Sequence, residues 1–408
     1  MVGLDFGTTN SSIAVAVEGG VKMARFADGS ESYRSILYAE APKAARARWW
    51  TGPEAITQYL DADAKGRLIQ SLKSFLASRS LRSTEVLGRH YTIEELIAIL
   101  LRDLRTEAER QFGCEVREAR VGRPVRFVGA ETEADDAYAV DRLRQAFTLA
   151  GFAHVEFEME PVAAAAFYAA RLQKDEVLLV GDFGGGTSDF SLLRVGPGGR
   201  ELLGNDGVGL AGDTFDARLI RHLVSPELGL GSSLDPVGKR LPVPVWLYSH
   251  LERWHYLSFL RSKETLHLLK TLPAQSDAPE KLQALYDLVN EDLGYRLHQA
   301  VQRTKRELSG AETAAFRFSE GSVDIGTTVR RADFEEWIAG DLAAIAACVD
   351  RLGARRVDRV FLTGGTSFVP AVRRIFAARF GAERIESGSE FTSIAHGLAL
   401  GGEGTAYA

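Results

Sequence analysis

Gly3-Leu4-Asp5-Phe6-Gly7-Thr8-Thr9-Asn10-Ser11 opens the chain, and Val180-Gly181-Asp182-Phe183-Gly184-Gly185-Gly186-Thr187-Ser188-Asp189 repeats its theme further on. Each copy follows an apolar start and precedes an alternating run, Ile13-Ala14-Val15-Ala16-Val17 in the first and Phe190-Ser191-Leu192-Leu193 in the second. The pattern predicts strand, tight glycine turn, strand in both places. Glycine in such a turn lets backbone amides approach an anion with no Cβ in the way, and threonine and serine hydroxyls add donors. An aspartate ending a buried strand is costly unless something pairs with it. A shared Mg2+, reached through waters, would serve Asp5 and Asp182 together. A single glycine hairpin is usually only a turn. Two copies sharing Asp-Phe-Gly and a threonine in the turn point to two similar lobes gripping one polyphosphate.

Bulk properties narrow the class. At 408 residues there is room for two lobes, each with its own core. The net charge of −6 argues against a general nucleic-acid binder, since no basic excess exists to release counterions. The two cysteines, Cys114 and Cys348, lie far apart without metal-type neighbours, so zinc is not expected and both are read as small buried hydrophobes. No apolar run approaches the ~18 residues of a membrane span. The first hairpin begins at once, so no signal peptide is expected. The expectation is a cytoplasmic enzyme or ATP-driven switch.

Between and after the hairpins the pattern alternates strands and helices. Thr92-Ile93-Glu94-Glu95 predicts a capping box opening a helix that Gly113 ends. A strand at Ala119–Gly122 runs into Pro124, a helix spans about Asp136 to Ala150, and a strand near Val155–Phe157 leads to Glu160-Pro161 and an alanine-rich helix. The stretch from about 225 to 290 differs: Pro and Gly give way to Trp246, Leu247, Leu251, Trp254, Leu257 and Leu260, spaced for one long amphipathic helix. Further helices are expected at about Asn290–Leu308 and Asp333–Leu352, and a strand at Arg359–Leu362. The reading is a duplicated α/β architecture with a nucleotide cleft between lobes. Lobe I is taken as 1–175 with a small subdomain at about 37–111, and lobe II as 176–408 with a small subdomain at about 215–309.

Weaker motifs each have a bland alternative. Thr363-Gly364-Gly365-Thr366, between a strand and a helix, is either a loop cap or a place where a base or ribose lies flat against backbone. Arg303-Thr304-Lys305-Arg306-Glu307-Leu308-Ser309 is either a solvated basic helix end or puts Lys305, Arg306 and Ser309 on one face against sugar and base. On pattern alone Lys73 is a surface lysine and Glu160 ends a strand.

Taken together, these residues resemble the ATPase domain of the heat-shock-70 (DnaK-type) chaperones, within the actin-like ATPase superfamily, whose lobes are RNase H-like. The resemblance spans nearly the whole chain with the motifs in the family's order. It implies ATP and ADP as ligands with Mg2+, and it extends the site. Leu72-Lys73 falls at the family's catalytic lysine, Met159–Ala165 resembles the segment carrying its glutamate, and Gly212-Asp213 falls where a Gly-acid pair approaches the nucleotide. Arg303–Ser309 and Thr363–Pro370 resemble its adenosine contacts, with Phe368 in place of an arginine that stacks on adenine. Pro124 matches a signalling proline, while the relay arginine's position falls on Val140, with Arg142 nearby. On this reading the family's linker, peptide-binding domain and lid are not expected in the chain. Residues 225–290 exceed the usual length and are the candidate surface for an unknown protein partner, or a local packing decoration.

The implied mechanism assigns Gly7, Thr8, Thr9 and Asn10 to one side of the phosphates and Gly184, Gly185 and Gly186 to the other. Gly212, Asp213, Lys305, Arg306, Ser309, Gly364, Gly365 and Phe368 take the rest of the nucleotide. Asp5, Asp182 and Asp189 serve the metal. Lys73, Glu160, Asp182 and Thr187 are the catalytic set. The expected activity is slow ATP hydrolysis driving a chaperone-like switch. An actin- or MreB-like filament former shares the hairpins and the Glu-Pro segment. A sugar kinase-like phosphotransferase shares only the first motif.

Overall fold

Both glycine hairpins form, and each is the centre of a sheet. Val2–Phe6 pairs antiparallel with Asn10–Val17, the last rung being Phe6 with Ser11, so residues 7–10 make the turn. Glu176–Phe183 pairs antiparallel with Ser188–Gly196, the last rung being Phe183 with Ser188, so residues 184–187 make an equivalent turn. The first sheet runs His154–Met159, Glu118–Arg123, Val2–Phe6, Asn10–Val17, Gly20–Met23, with Tyr33–Arg34 joined to the start of Asn10–Val17. The second runs Ile385–Ser387, Arg359–Thr363, Glu176–Phe183, Ser188–Gly196, Gly199–Val208, Thr405–Tyr407. In each sheet two strands join the hairpin's leading strand in parallel, on the side away from its partner. The duplication suggested by the repeated phrase is thus a duplication of topology.

The computed structural model describes residues 1–408 except 28, 42–46, 63–65, 170–171, 198, 236–239, 254–255, 355, 388–391, 402–404 and 408. They form two compact units: Met1–Gly212 with Ala343–Phe368 and Val372–Ala408, and Asp213–Leu342 with Val369–Ala371. Both sheets belong to the first unit.

Within that unit, leading strands read as buried runs because helices cover them. Leu4, Phe6 and Ile13 are buried in the first sheet, and Leu178, Val180, Phe183 and Phe190 in the second. Helix Ile93–Phe112 starts at the capping box of Thr92 and Glu95 and stops at Gly113 in the left-handed conformation. Helix Glu133–Leu149 starts three residues earlier than expected, because Thr132 and Asp135 form a second capping box. Each sheet's outer parallel strand is followed by a helix, Glu160–Ala169 in one case and Ser393–Leu400 in the other. These two helices meet at Gly397, where a Cβ would fall 1.8 Å from the Ala163 carbonyl oxygen. Only glycine fits that approach. Cys348 is buried as expected; Cys114 is exposed, because it lies in the loop after the helix rather than on its apolar face.

The second unit holds the hairpin Thr313–Glu320/Val323–Arg330 and helix Gly294–Gly310, which packs on its first strand. The single long helix expected across 246–260 is broken. Helices Val245–Leu251 and Leu257–Leu260 are separate, and Ser262 caps a third, Lys263–Thr271, by accepting from the Thr265 amide. Trp254 lies outside the described residues. Leu247, Leu251 and Leu260 are buried, and the Tyr248 hydroxyl donates to the Leu228 carbonyl at 2.9 Å. A helix at Pro279–Asn290 occupies residues for which no separate element is predicted from the sequence, and the helix beyond it begins at Gly294 rather than Asn290. Asp333–Leu352 divides into Arg331–Trp337 and Ala339–Arg351. No helix among the described residues is long and apolar enough to cross a membrane.

Candidate active site

Lys73 is not the surface residue its local pattern suggests. It sits in a 3-10 turn, Leu72–Phe75, is only 6% exposed, and its Nζ donates to Glu160 Oε1 at 2.5 Å. Glu160 does not end a strand; it opens helix Glu160–Ala169, directly after strand His154–Met159. A carboxylate in a first helical turn complements the positive end of the helix. Burial alone would make Lys73 less basic, but Glu160, then Asp5, outweigh it and hold the ammonium above its ordinary range.

Three aspartates surround this pair electrostatically. Asp5 ends its strand with partial solvent contact, while Asp182 and Asp189 are buried, on paired strands and directly opposite each other. Burial, then Glu160, pushes the Asp5 carboxyl up to about 7, with Lys73 opposing. Burial, then Glu160, Asp189 and Asp5, lifts Asp182 well above the carboxylate range. Asp189 is raised to about 7 by burial and then Glu160, against the Thr187 hydroxyl and the Arg126 amide, which favour its charged form. Its Oδ1 accepts from the amides of Val125 at 2.9 Å and Arg126 at 3.3 Å. Those donors follow Pro124, at the end of a first-sheet strand, so Asp189 ties the two sheets together.

Four carboxylates thus face one ammonium, a surplus of buried negative charge that protonation or a bound cation must relieve. Asp189 Oδ2 and Thr9 Oγ1 are buried without a hydrogen-bond partner, as expected of groups that await a ligand. Among the described residues no three His, Cys, Asp or Glu side chains converge to grip a bare ion. The donor set therefore fits Mg2+ that keeps waters and is carried on phosphates, rather than an all-protein cage.

The turns flanking the cluster are held in place by backbone and side-chain hydrogen bonds. Gly184 N donates to Thr187 O at 3.0 Å, closing the second turn. The Thr9 carbonyl accepts from Ser35 N at 2.9 Å, and Asn10 Oδ1 accepts from Arg34 at 3.1 Å. Gly212 opens helix Gly212–Leu219 and Asp213 follows within its first turn. Gly364 has φ +83° and a Cβ there would meet the Phe183 carbonyl oxygen at 2.1 Å, which packs the Thr363-Gly364-Gly365-Thr366 loop onto the second hairpin. Gly365–Phe368 forms a 3-10 turn with the Phe368 ring 45% exposed. In the second unit, Lys305 pairs with buried Asp216 at 2.7 Å, the Ser309 hydroxyl donates to the Lys305 carbonyl at 3.1 Å, and Arg306 is exposed.

Sequence reading missed the support beneath Lys73. Ser71, just before the turn, adopts φ 56° and ψ 31°, a left-handed conformation uncommon for serine. Arg142 is 3% exposed and binds the carbonyls of Phe75, Leu76 and Ser78. The signal was present: Arg142 occupies the buried stripe of its helix with Ala139, Leu143, Ala146 and Phe147.

A doubled sheet whose hairpins bring a lysine and four carboxylates together defines a nucleotide-binding domain of the actin-like ATPase fold. Residues 70–234 match the model of a family described as Hsp70 protein. The match supports an Hsp70-type nucleotide-binding domain over that segment, and domains of that family bind nucleotide and are ATPases. The matched segment contains Lys73, Glu160, Asp182, Thr187, Asp189, Gly212 and Asp213, whereas the first hairpin and residues 305–309 and 363–368 lie outside it.

Proposed function

We propose that this chain binds MgATP, hydrolyses it slowly, and works as a chaperone-like conformational switch. The observation that supports this best is the buried Lys73–Glu160 pair set among Asp5, Asp182 and Asp189. Phosphoryl transfer needs positioning and charge neutralisation more than covalent chemistry. Amides of Gly7, Thr8 and Thr9, with Asn10, hold one side of the phosphates and Gly184–Gly186 the other. Lys73 holds the γ-phosphate and the attacking water. Glu160 and Asp182 orient that water, and the Thr187 hydroxyl lies beside the γ-phosphate. Mg2+ would supply neutralisation of phosphate charge, Asp5 and Asp182 would orient it in hydrated form, and Asp189 would bind a further cation.

Sugar and base contacts at Gly212, Asp213, Lys305, Arg306, Ser309, Gly364, Gly365 and Phe368 are part of the same proposal. So are the lobes at 1–175 and 176–408 and a cytoplasmic location. A protein partner is proposed for 225–290, where Leu241, Val245 and Trp246 are 42–49% exposed; capture that survives deletion of 240–288 rules that out. Single-turnover hydrolysis of radiolabelled ATP tests the activity. The wild type turns over in the presence of Mg2+, and Lys73→Ala keeps ATP affinity while losing most hydrolysis. Normal hydrolysis by Lys73→Ala refutes the assignment.

A further inference from the structure

Lys73 owes its place to a short turn with little structure of its own. Leu72–Phe75 is one turn of 3-10 helix, and such a turn leaves carbonyls without intrahelical partners at its end. Those carbonyls converge on a single side chain. Arg142 donates through Nη1 to Phe75 O at 3.0 Å, Leu76 O at 3.1 Å and Ser78 O at 3.2 Å. Its Nε bonds Glu94 Oε1, so the guanidinium is anchored on helix Ile93–Phe112 while reaching the loop. The Tyr138 ring lies 5.5 Å from its Cζ. Burial pushes the Glu94 carboxyl up, but the hydrogen bond from Arg142 more than offsets this and holds it below its ordinary range.

The opposite end of the turn is held under strain. Ser71 is fully buried in its left-handed conformation. Such backbone persists only where the surroundings over-determine it. A buried arginine that merely stapled two helices would need Glu94 and nothing more. Arg142 instead turns one nitrogen, Nη1, to three carbonyls within five residues of Lys73 while its Nε holds Glu94, so a single side chain joins the loop to the helix.

We infer that Arg142 is a positioning residue: by clamping the 75–78 carbonyls it fixes the Lys73 turn, and through it the Lys73 ammonium against Glu160. The inference rests on the functional reading above for its kinetic consequence but not for the clamp itself.

The test uses the full chain with Arg142→Ala, Arg142→Lys, Lys73→Ala and the Arg142→Ala/Lys73→Ala double variant. Backbone amide exchange over residues 70–80 is expected to accelerate at least ~10-fold in Arg142→Ala while the strands of both sheets keep their protection. Arg142→Lys, which keeps the charge beside Glu94 but reaches fewer carbonyls, falls between. Hydrolysis in Arg142→Ala drops about 10- to 100-fold with nucleotide affinity within about twofold. The double variant is no slower than Lys73→Ala, because both act through one ammonium. Unchanged exchange over 70–80, or kinetic losses that multiply, overturns the inference. A wild type that does not hydrolyse ATP refutes the functional reading, and the exchange measurement then decides the clamp alone. Should Arg142→Ala fail to fold, Arg142→Lys and Glu94→Gln carry the same comparison.

Discussion

The two hairpin sheets share strand order, turn length and the leading Asp-Phe-Gly, yet they differ where the chemistry lies. Across the hairpin, Asp5 faces Ser12 in the first sheet, and Asp182 faces Asp189 in the second. The helix after the first sheet begins with Glu160, the one after the second with Ser393. On the adjoining parallel strand, the first sheet's last rung pairs Leu4 with Val121, so Gly122 is the next residue on from it, whereas in the second sheet Thr363 lies beside Asp182. Ser393 and Thr363 satisfy each other through hydroxyls 3.1 Å apart, whereas Glu160 takes the ammonium of Lys73. Duplication supplied a symmetric frame, and three unlike pairs made one half carry the acid-base couple and the other an additional carboxylate.

The predictions probe that asymmetry in order of expected size. Lys73→Ala removes the cation that only the first half provides. Hydrolysis should fall ~10²–10³-fold, as for loss of one preorganised group, with ATP binding retained in an equilibrium titration. The same change leaves Glu160 buried and unpaired, so denaturant unfolding at pH 8 should show a loss of about 3–5 kcal/mol.

Asp189→Ser makes the second hairpin resemble the first. It removes the acceptor of the Val125 and Arg126 amides, and hydrolysis measured against Mg2+ concentration should drop about 10- to 100-fold. The reverse change, Ser12→Asp, adds a fifth buried acid and should lower stability by roughly 1–3 kcal/mol at pH 8, with a smaller loss at pH 6.

The surplus of acids also sets a pH dependence. Asp5 and Asp189 titrate at about 7 when folded, and free aspartate titrates near 3.8. Between those values the folded state holds protons that the unfolded state has lost, so stability falls as pH rises through that window. Asp182, raised well above the ordinary carboxylate range, adds to the fall in the same direction. Urea unfolding without nucleotide should lose roughly 2–4 kcal/mol between pH 5 and pH 8, and MgATP should flatten the slope. A nucleotide-free protein that is most stable at pH 8 contradicts the carboxylate cluster. Smallest of all, Thr363→Val breaks the Ser393 contact, costs about 1 kcal/mol, and leaves hydrolysis within about threefold.

Much of this was legible in the chain. The hairpins were readable because period-two alternation around Asp-Phe-Gly is a local signal, and helix Ile93–Phe112 because its capping box and Gly113 are local too. Lys73 was not readable from its surroundings: its burial depends on Glu160, 87 positions away, and only the resemblance to a family marked it. Arg142 is legible as a buried charge from the apolar stripe of its helix, but which carbonyls it binds leaves no trace in side-chain pattern. The long helix expected over 246–260 is instead two, Val245–Leu251 and Leu257–Leu260, because Leu and Trp spacing carries no signal for where one helix stops and the next begins.

The most direct test is a crystal structure of the protein with MnADP, locating the metal by its anomalous signal. The account predicts one ion on the nucleotide's phosphates, with its waters bonded to both Asp5 and Asp182. A metal served by only one of those carboxylates, or phosphates seated away from both glycine turns, would contradict it.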